Sequence, residues 1–280
     1  MKYFNPENSI FSNSFLIEGL EIDPENKSVR LTDRHSKGLN TNIFSNPVHY
    51  KFKGYDVYSI FRRTSYDLYS GYDIDGNPFI KALKGLDGWK FDMSREEILK
   101  YIRRFFLIAN KIPKNYDTII TIPSKHDLNF KFMSSIKKVV GSTWVFSDLF
   151  CKCSKEEAWE SIDYDAISRD YKNRFSKEQV MREIYASLGK MDYFFEAKHM
   201  KKKYLKYFKS IISYNSQYTI KDLDQYITDK NVLILDDTIS SGMTMSSATD
   251  AIVSDFRPKS VTIITLLSRL ESNIGLSIIG

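Results

Sequence analysis

The chain has 280 residues, 42% of them hydrophobic, and a formal net charge of +6. That length and apolar content suit one large domain, or a domain with an appendage, around a proper core. No apolar run approaches membrane-spanning length, the opening Met1-Lys2-Tyr3-Phe4-Asn5-Pro6 lacks the apolar stretch of a secretory signal, and Cys151 and Cys153 are poorly spaced for a disulfide or a metal site, so a cytoplasmic protein with free thiols is expected.

Residues 1–92 read as a β-rich, aromatic-rich region without a recognisable catalytic motif. Tyr55-Asp56-Val57-Tyr58-Ser59-Ile60-Phe61 alternates like a strand. Asp75-Gly76 is a hairpin signal between residues 69–74 and 79–83, which are predicted as paired strands. Gly85 and Gly88 close the region before Trp89, and Arg62, Arg63 and Lys84 could reach a ligand, with surface charge the favoured reading.

An α/β pattern fills residues 93–280. Ser94 and Glu97 form a capping box ahead of Ile98, Ile102, Phe105 and Ala109 at helical spacing, with Asn110 as a stop. Residues 117–122 read as a buried strand that ends in Pro123-Ser124-Lys125-His126-Asp127-Leu128-Asn129. A second helix turns Phe132, Met133, Ile136 and Val140 inward and stops at Gly141; residues 143–146 are a short strand. Residues 154–190 are predicted helical, with capping boxes at Ser154/Glu157 and Ser176/Gln179 and an end at Gly189. Lys198, Lys201, Lys202, Lys203, Lys206 and Lys209 then crowd one stretch, interleaved with Tyr204, Tyr207 and Phe208. Such a stretch can stack bases and hold phosphates. A solvated amphipathic helix with its aromatics inward is the favoured alternative.

Residues 232–244 are the most informative segment: Val-Leu-Ile-Leu-Asp-Asp-Thr-Ile-Ser-Ser-Gly-Met-Thr. Four apolar residues make a buried strand, and Asp236 and Asp237 stand at its end. A small-residue turn leads to a helical pattern that Thr244 opens and Ala248, Ile252 and Val253 continue. A strand, a glycine-containing turn and a helix N-terminus form a phosphate cradle. The acidic pair repels phosphate and suits hydroxyls or a divalent cation. Phosphate on one side and a diol on the other describes a ribose phosphate. Residues 261–267 form a final strand. Strands alternating with helices imply a parallel sheet, whose ligands lie at the carboxyl ends of the strands. The loops at 123–129 and 236–244 both fall there.

At residues 232–244 the chain resembles the type I phosphoribosyltransferases. The resemblance covers roughly residues 94–270 and implies that family's α/β fold, a parallel sheet flanked by helices, with the β-rich residues 1–92 as a candidate hood for substrate recognition. It implies that Asp236 and Asp237 hold the ribose hydroxyls of phosphoribosyl pyrophosphate (PRPP) and, through Mg²⁺-PRPP, the metal cofactor. Thr238, Ser240, Ser241, Gly242, Met243 and Thr244 would wrap the 5′-phosphate. Pro123-Ser124-Lys125 is similar to the pyrophosphate loop of the ComF-like members, so Ser124 and Lys125 would hold pyrophosphate, with His126 a further candidate contact. A mobile closing loop is implied between about residues 151 and 209. Family members acting on 6-oxopurines carry Asp where Ser240 stands, which disfavours an oxopurine acceptor.

The implied activity is transfer of the 5-phosphoribosyl group from PRPP to a nitrogen acceptor, with release of pyrophosphate, in nucleotide metabolism. Two alternatives are an atypical member acting on nucleic acid, protein or nucleotide as a defence or toxin effector, and a non-catalytic PRPP-binding regulator. The expected partners are PRPP and a small nitrogen acceptor. Nucleic acid is not favoured, no membrane association is expected, and a homo-oligomer is expected.

Overall fold

The computed structural model of the protein describes residues 19–35, 38–64, 78–124, 126–141, 144–239 and 242–269. The chain opens with β1 (Gly19–Asp23), β2 (Ser28–Thr32), β3 (Val48–Phe52), β4 (Tyr55–Arg63), α1 (Pro78–Lys84), β5 (Lys90–Phe91) and α2 (Arg95–Ala109). There follow β6 (Thr118–Thr121), α3 (Leu128–Val140), β7 (Trp144–Phe146), β8 (Phe150–Lys152), α4 (Lys155–Glu160), α5 (Tyr164–Asp170), α6 (Arg174–Leu188), α7 (Lys202–Leu205) and β9 (Ile212–Tyr214). Helix α8 (Ile220–Ile227), β10 (Asn231–Ile239), α9 (Met243–Phe256) and β11 (Ser260–Arg269) complete it.

Residues 232–235 carry no polar face, so a strand there needs cover on both sides. Strand β10 has it. It lies inside a six-stranded sheet of order β3-β4-β11-β10-β6-β7, in which β3 runs antiparallel to β4 and the other pairs are parallel. Side chains alternate across a strand. Leu233 and Leu235, with Ile119 and Ile264, pack on α2 and α3 through Ile108, Phe132 and Ile136. Val232 and Ile234, with Ile120 and Ile263, pack on α8 and α9 through Leu223, Ile227, Ala248 and Ile252. The fold is therefore α/β, a mostly parallel sheet between helical layers, with a smaller sheet β1-β2-β5 beside it.

The large sheet draws on both sides of residue 92. Strand β4, where the sequence alternates, pairs in parallel with β11 in the register Val57↔Ile263 and Phe61↔Leu267. Val57, Ile60 and Phe61 are buried there. The predicted strand at 79–83 is instead helix α1. Pro78 supplies the reason: its fixed φ and missing N–H suit a first helical position. Its partner at 69–74 and the Asp75-Gly76 turn lie outside the described residues.

The capping box Ser94/Glu97 and the left-handed stop at Gly141 form as expected. In α2, Ala109 is buried, but Ile98 and Ile102 stay more than a third exposed along an apolar groove. Residues 154–190 break into α4, α5 and α6. Ser154 and Glu157 cap the first, but the third starts at Asn173, whose side chain accepts from the Phe175 N–H at 2.9 Å. Ser176 lies inside that helix and caps nothing.

These helices surround their own core, in which Ile184, Tyr204 and Tyr207 are almost fully buried. The lysine-rich stretch belongs to this unit. Tyr204 and Tyr207 donate to Glu183 at 2.7 Å and Asp170 at 2.8 Å. Lys201 and Lys206 pair with the same two carboxylates, and Lys203 lies over the Tyr204 ring. The Lys201 ammonium, then Tyr204, holds the Glu183 carboxyl down at about 2. Lys201 and Lys206 are thus paired with carboxylates while their side chains stay mostly exposed, and Tyr204 and Tyr207 between them face the core.

Candidate active site at the carboxyl edge of the sheet

Strand β10 carries the acidic pair at its carboxyl end, and alternation turns the two carboxylates to different neighbours. Asp236 accepts from Asn129 Nδ2 at 3.2 Å and from the Asp237 N–H at 2.8 Å. Asn129, near the start of α3, also donates to the Ile122 carbonyl at 3.0 Å, so it ties the end of β6 to the end of β10. Burial, then the charge of Asp237, pushes the Asp236 carboxyl up to about 7. Asp237 is buried. It accepts from Thr238 Oγ1 at 3.0 Å and forms an ion pair with Lys84 at the end of α1.

The turn to α9 ends at Gly242, which is left-handed at φ 74°. Glycine suits that conformation and has no side chain with which to cap the first turn of the 14-residue helix. The position is also tight: a Cβ there would lie 2.7 Å from Phe52 Cζ. Gly242→Ala is therefore expected to cost about 1–2 kcal/mol from the backbone alone, and to lower the melting temperature further by displacing Phe52. A thermal melt checks it.

A cavity of about 390 Å³ gathers these groups. Asp236, Asp237 and Thr244 face it from the signature segment, Pro123, Ser124 and His126 from the loop after β6, and Lys84 from α1. The His126 N–H donates to Ser124 Oγ at 3.3 Å. Of the predicted residues, the fold thus brings Ser124, His126, Asp236, Asp237 and Thr244 together around one space. Thr238 lies on β10 beside Asp237, to which its hydroxyl donates, and Met243 packs partly on the core of the helical unit. Lys125, Ser240 and Ser241 lie outside the described residues.

Lys84 corrects its reading as surface charge, since its side chain is 14% exposed and sits on a buried carboxylate. Lys152, Phe195, Glu196 and Ile212 also line the cavity. No spacing signal marks them, because they come from the helical unit and from β8 and β9, which pair across it. Among the described residues no group of three or more His, Cys, Asp or Glu could hold a metal by itself. Two carboxylates are nevertheless a fitting donor set for Mg²⁺, which is usually held by one or two carboxylates plus substrate phosphates. No helix among the described residues is long and apolar enough to cross a membrane.

The phosphoribosyl transferase domain family matches residues 197–274. The hypoxanthine phosphoribosyltransferase of Buchnera aphidicola subsp. Schizaphis graminum is 42% identical over 77 residues, covering 26% of this chain and 43% of that protein. Hypoxanthine phosphoribosyltransferases of Escherichia coli K12 and Shigella flexneri are each 47% identical over 64 residues, covering 22% of this chain and 35% of theirs. The chain thus spans less than half the length of these relatives. No solved structure matches it significantly. The matched segment runs from the helical unit through β10, α9 and β11, so this part of the chain is similar to the phosphoribosyl transferase domain family.

Proposed function

We propose that the protein transfers the 5-phosphoribosyl group of PRPP to a nitrogen acceptor and releases pyrophosphate. One observation carries the reading: the acidic pair and Thr244, from the segment the family matches, share a cavity with Ser124 and His126 of a separate loop. Asp236 and Asp237 hold the ribose hydroxyls. Thr238, Ser240, Ser241, Gly242, Met243 and Thr244 enclose the 5′-phosphate, with the first turn of α9 directing N–H groups at it. Ser124 and Lys125 receive the pyrophosphate, and His126 is a further contact beside them.

The reaction asks little covalent chemistry of the protein. The C1–pyrophosphate bond breaks as positive charge grows on the ribose, and the acceptor nitrogen then forms the new bond at C1. Binding at the remote 5′-phosphate positions C1, and the carboxylates lie where ring charge develops. Mg²⁺ bound with PRPP at Asp236 and Asp237 would neutralise the leaving pyrophosphate. Walls such as Phe195 and Ile212 exclude water that would otherwise capture C1.

The similar relatives are named for hypoxanthine, but Ser240 cannot act as a carboxylate toward a purine N7. We infer a small nitrogen acceptor other than a 6-oxopurine. Pyrophosphate release from Mg²⁺-PRPP, followed across a panel of bases and amines with hypoxanthine included, tests both parts. Acceptor-dependent release is expected, with hypoxanthine among the poor acceptors. No release with any acceptor would contradict the transferase reading.

A further inference from the structure

We propose that Lys84 is a built-in counter-cation of the acidic pair, which an arriving divalent cation must displace before the site can take its ligand. The inference rests on Asp236 and Asp237 being the carboxylates of that site. Lys84 comes from α1, far upstream of the segment that the family matches. Its ammonium contacts Asp237 Oδ2, and the two side chains are only 14% and 5% exposed. Asp236 stands directly beside, partly buried, with a neutral amide and a backbone N–H as its partners. Two adjacent, sheltered carboxylates need a cation, and in the free protein Lys84 supplies it.

The same contact sets up a competition. An ammonium at Asp237 occupies one donor oxygen of the pair and repels a second cation at short range. A divalent ion therefore binds in exchange for Lys84, not in addition to it. The exchange has room to occur. Lysine is a point charge on a flexible stem, and Lys84 lines the cavity itself. Gly85, left-handed at φ 62°, follows it and lets the chain turn away. Moved off Asp237, the ammonium stays on the cavity wall, where the anionic part of a phosphorylated ligand would meet it. Lys84 is thus a positioning residue: it keeps the carboxylates poised while the site is empty and passes them to the cation on loading.

The test uses the full chain and the metal alone. Mg²⁺ and Mn²⁺ are titrated without PRPP, by calorimetry and by thermal shift, into wild type and Lys84→Met. Removing a contacting opposite charge changes a carboxylate's cation affinity by about one to three powers of ten, so the Lys84→Met midpoint is expected at least about tenfold lower. Adding Asp237→Asn to that variant is expected to abolish the gain. A purely structural Lys84 would destabilise the protein when lost without tightening metal. An unchanged or higher midpoint, or no binding by Lys84→Met at all, overturns the proposal. If Lys84→Met does not fold, acylation of wild-type Lys84 is followed by mass spectrometry. Faster labelling with Mg²⁺ supports displacement, and Mg²⁺-independent labelling overturns it. Both readouts omit PRPP, so a protein that fails to bind PRPP would sink the proposed function and still decide the role of Lys84.

Discussion

Changing Asp236 and Asp237 together to Asn is expected to cut PRPP-dependent turnover by at least about ten- to a hundred-fold while leaving a folded protein. One charge-assisted hydrogen bond lost is worth roughly 1.5–3 kcal/mol, about that factor in rate. The fold should tolerate the change because neither carboxylate is part of the apolar core that packs the sheet. Asp236→Asn keeps an acceptor for the Asn129 amide and removes a like charge beside Asp237. Asp237→Asn is the costlier half, because it strands the Lys84 ammonium in a sheltered place. Pyrophosphate release and a thermal melt on the single and double variants separate the effects. Full activity in the double variant would make the pair purely structural.

Removing residues 1–92 is expected to abolish cooperative folding of the remainder. Strand β4 is the parallel neighbour of β11 over most of its length, and β3 closes the sheet beyond it. Val57, Ile60 and Phe61 from β4 and Tyr50 and Phe52 from β3 are buried. Truncating such side chains costs about 2–5 kcal/mol each for the larger ones, against a total stability of about 5–15 kcal/mol for ordinary domains. Phe52 also packs close to Gly242, so the turn into α9 would lose a packing partner. Circular dichroism and a denaturant melt of residues 93–280 check this. A sigmoidal transition with native-like helix content would mean that the two regions fold separately.

The signature segment was legible because its chemistry is local. Four apolar residues fully buried on both faces, two acids at the strand end and a glycine before a helix all lie within one continuous run. The loop at 123–129 was legible by position, as the end of a second strand in an alternating pattern. What the sequence hid was tertiary. The alternation at 55–61 indicates a strand but not its partner, and the choice of β11 depends on the assembled sheet. Residues 79–83 form a short apolar run that suits strand or helix equally, and Pro78 at its start favours the helix. Lys84 resembles any solvated lysine until α1 brings it to Asp237. Asn129 carries no motif signal that it would bridge Ile122 and Asp236. The breaks at Asp163 and Asn173 were masked by a helix-like composition, although both residues are good caps.

Calorimetric titration of the full chain with PRPP in the presence of Mg²⁺ tests the central claim most directly. Saturable, Mg²⁺-dependent binding is expected, lost in the Asp236→Asn/Asp237→Asn variant and accompanied by protection of residues 236–244 from hydrogen exchange. No heat and no thermal shift at millimolar PRPP would contradict the assignment of this cavity to a ribose phosphate.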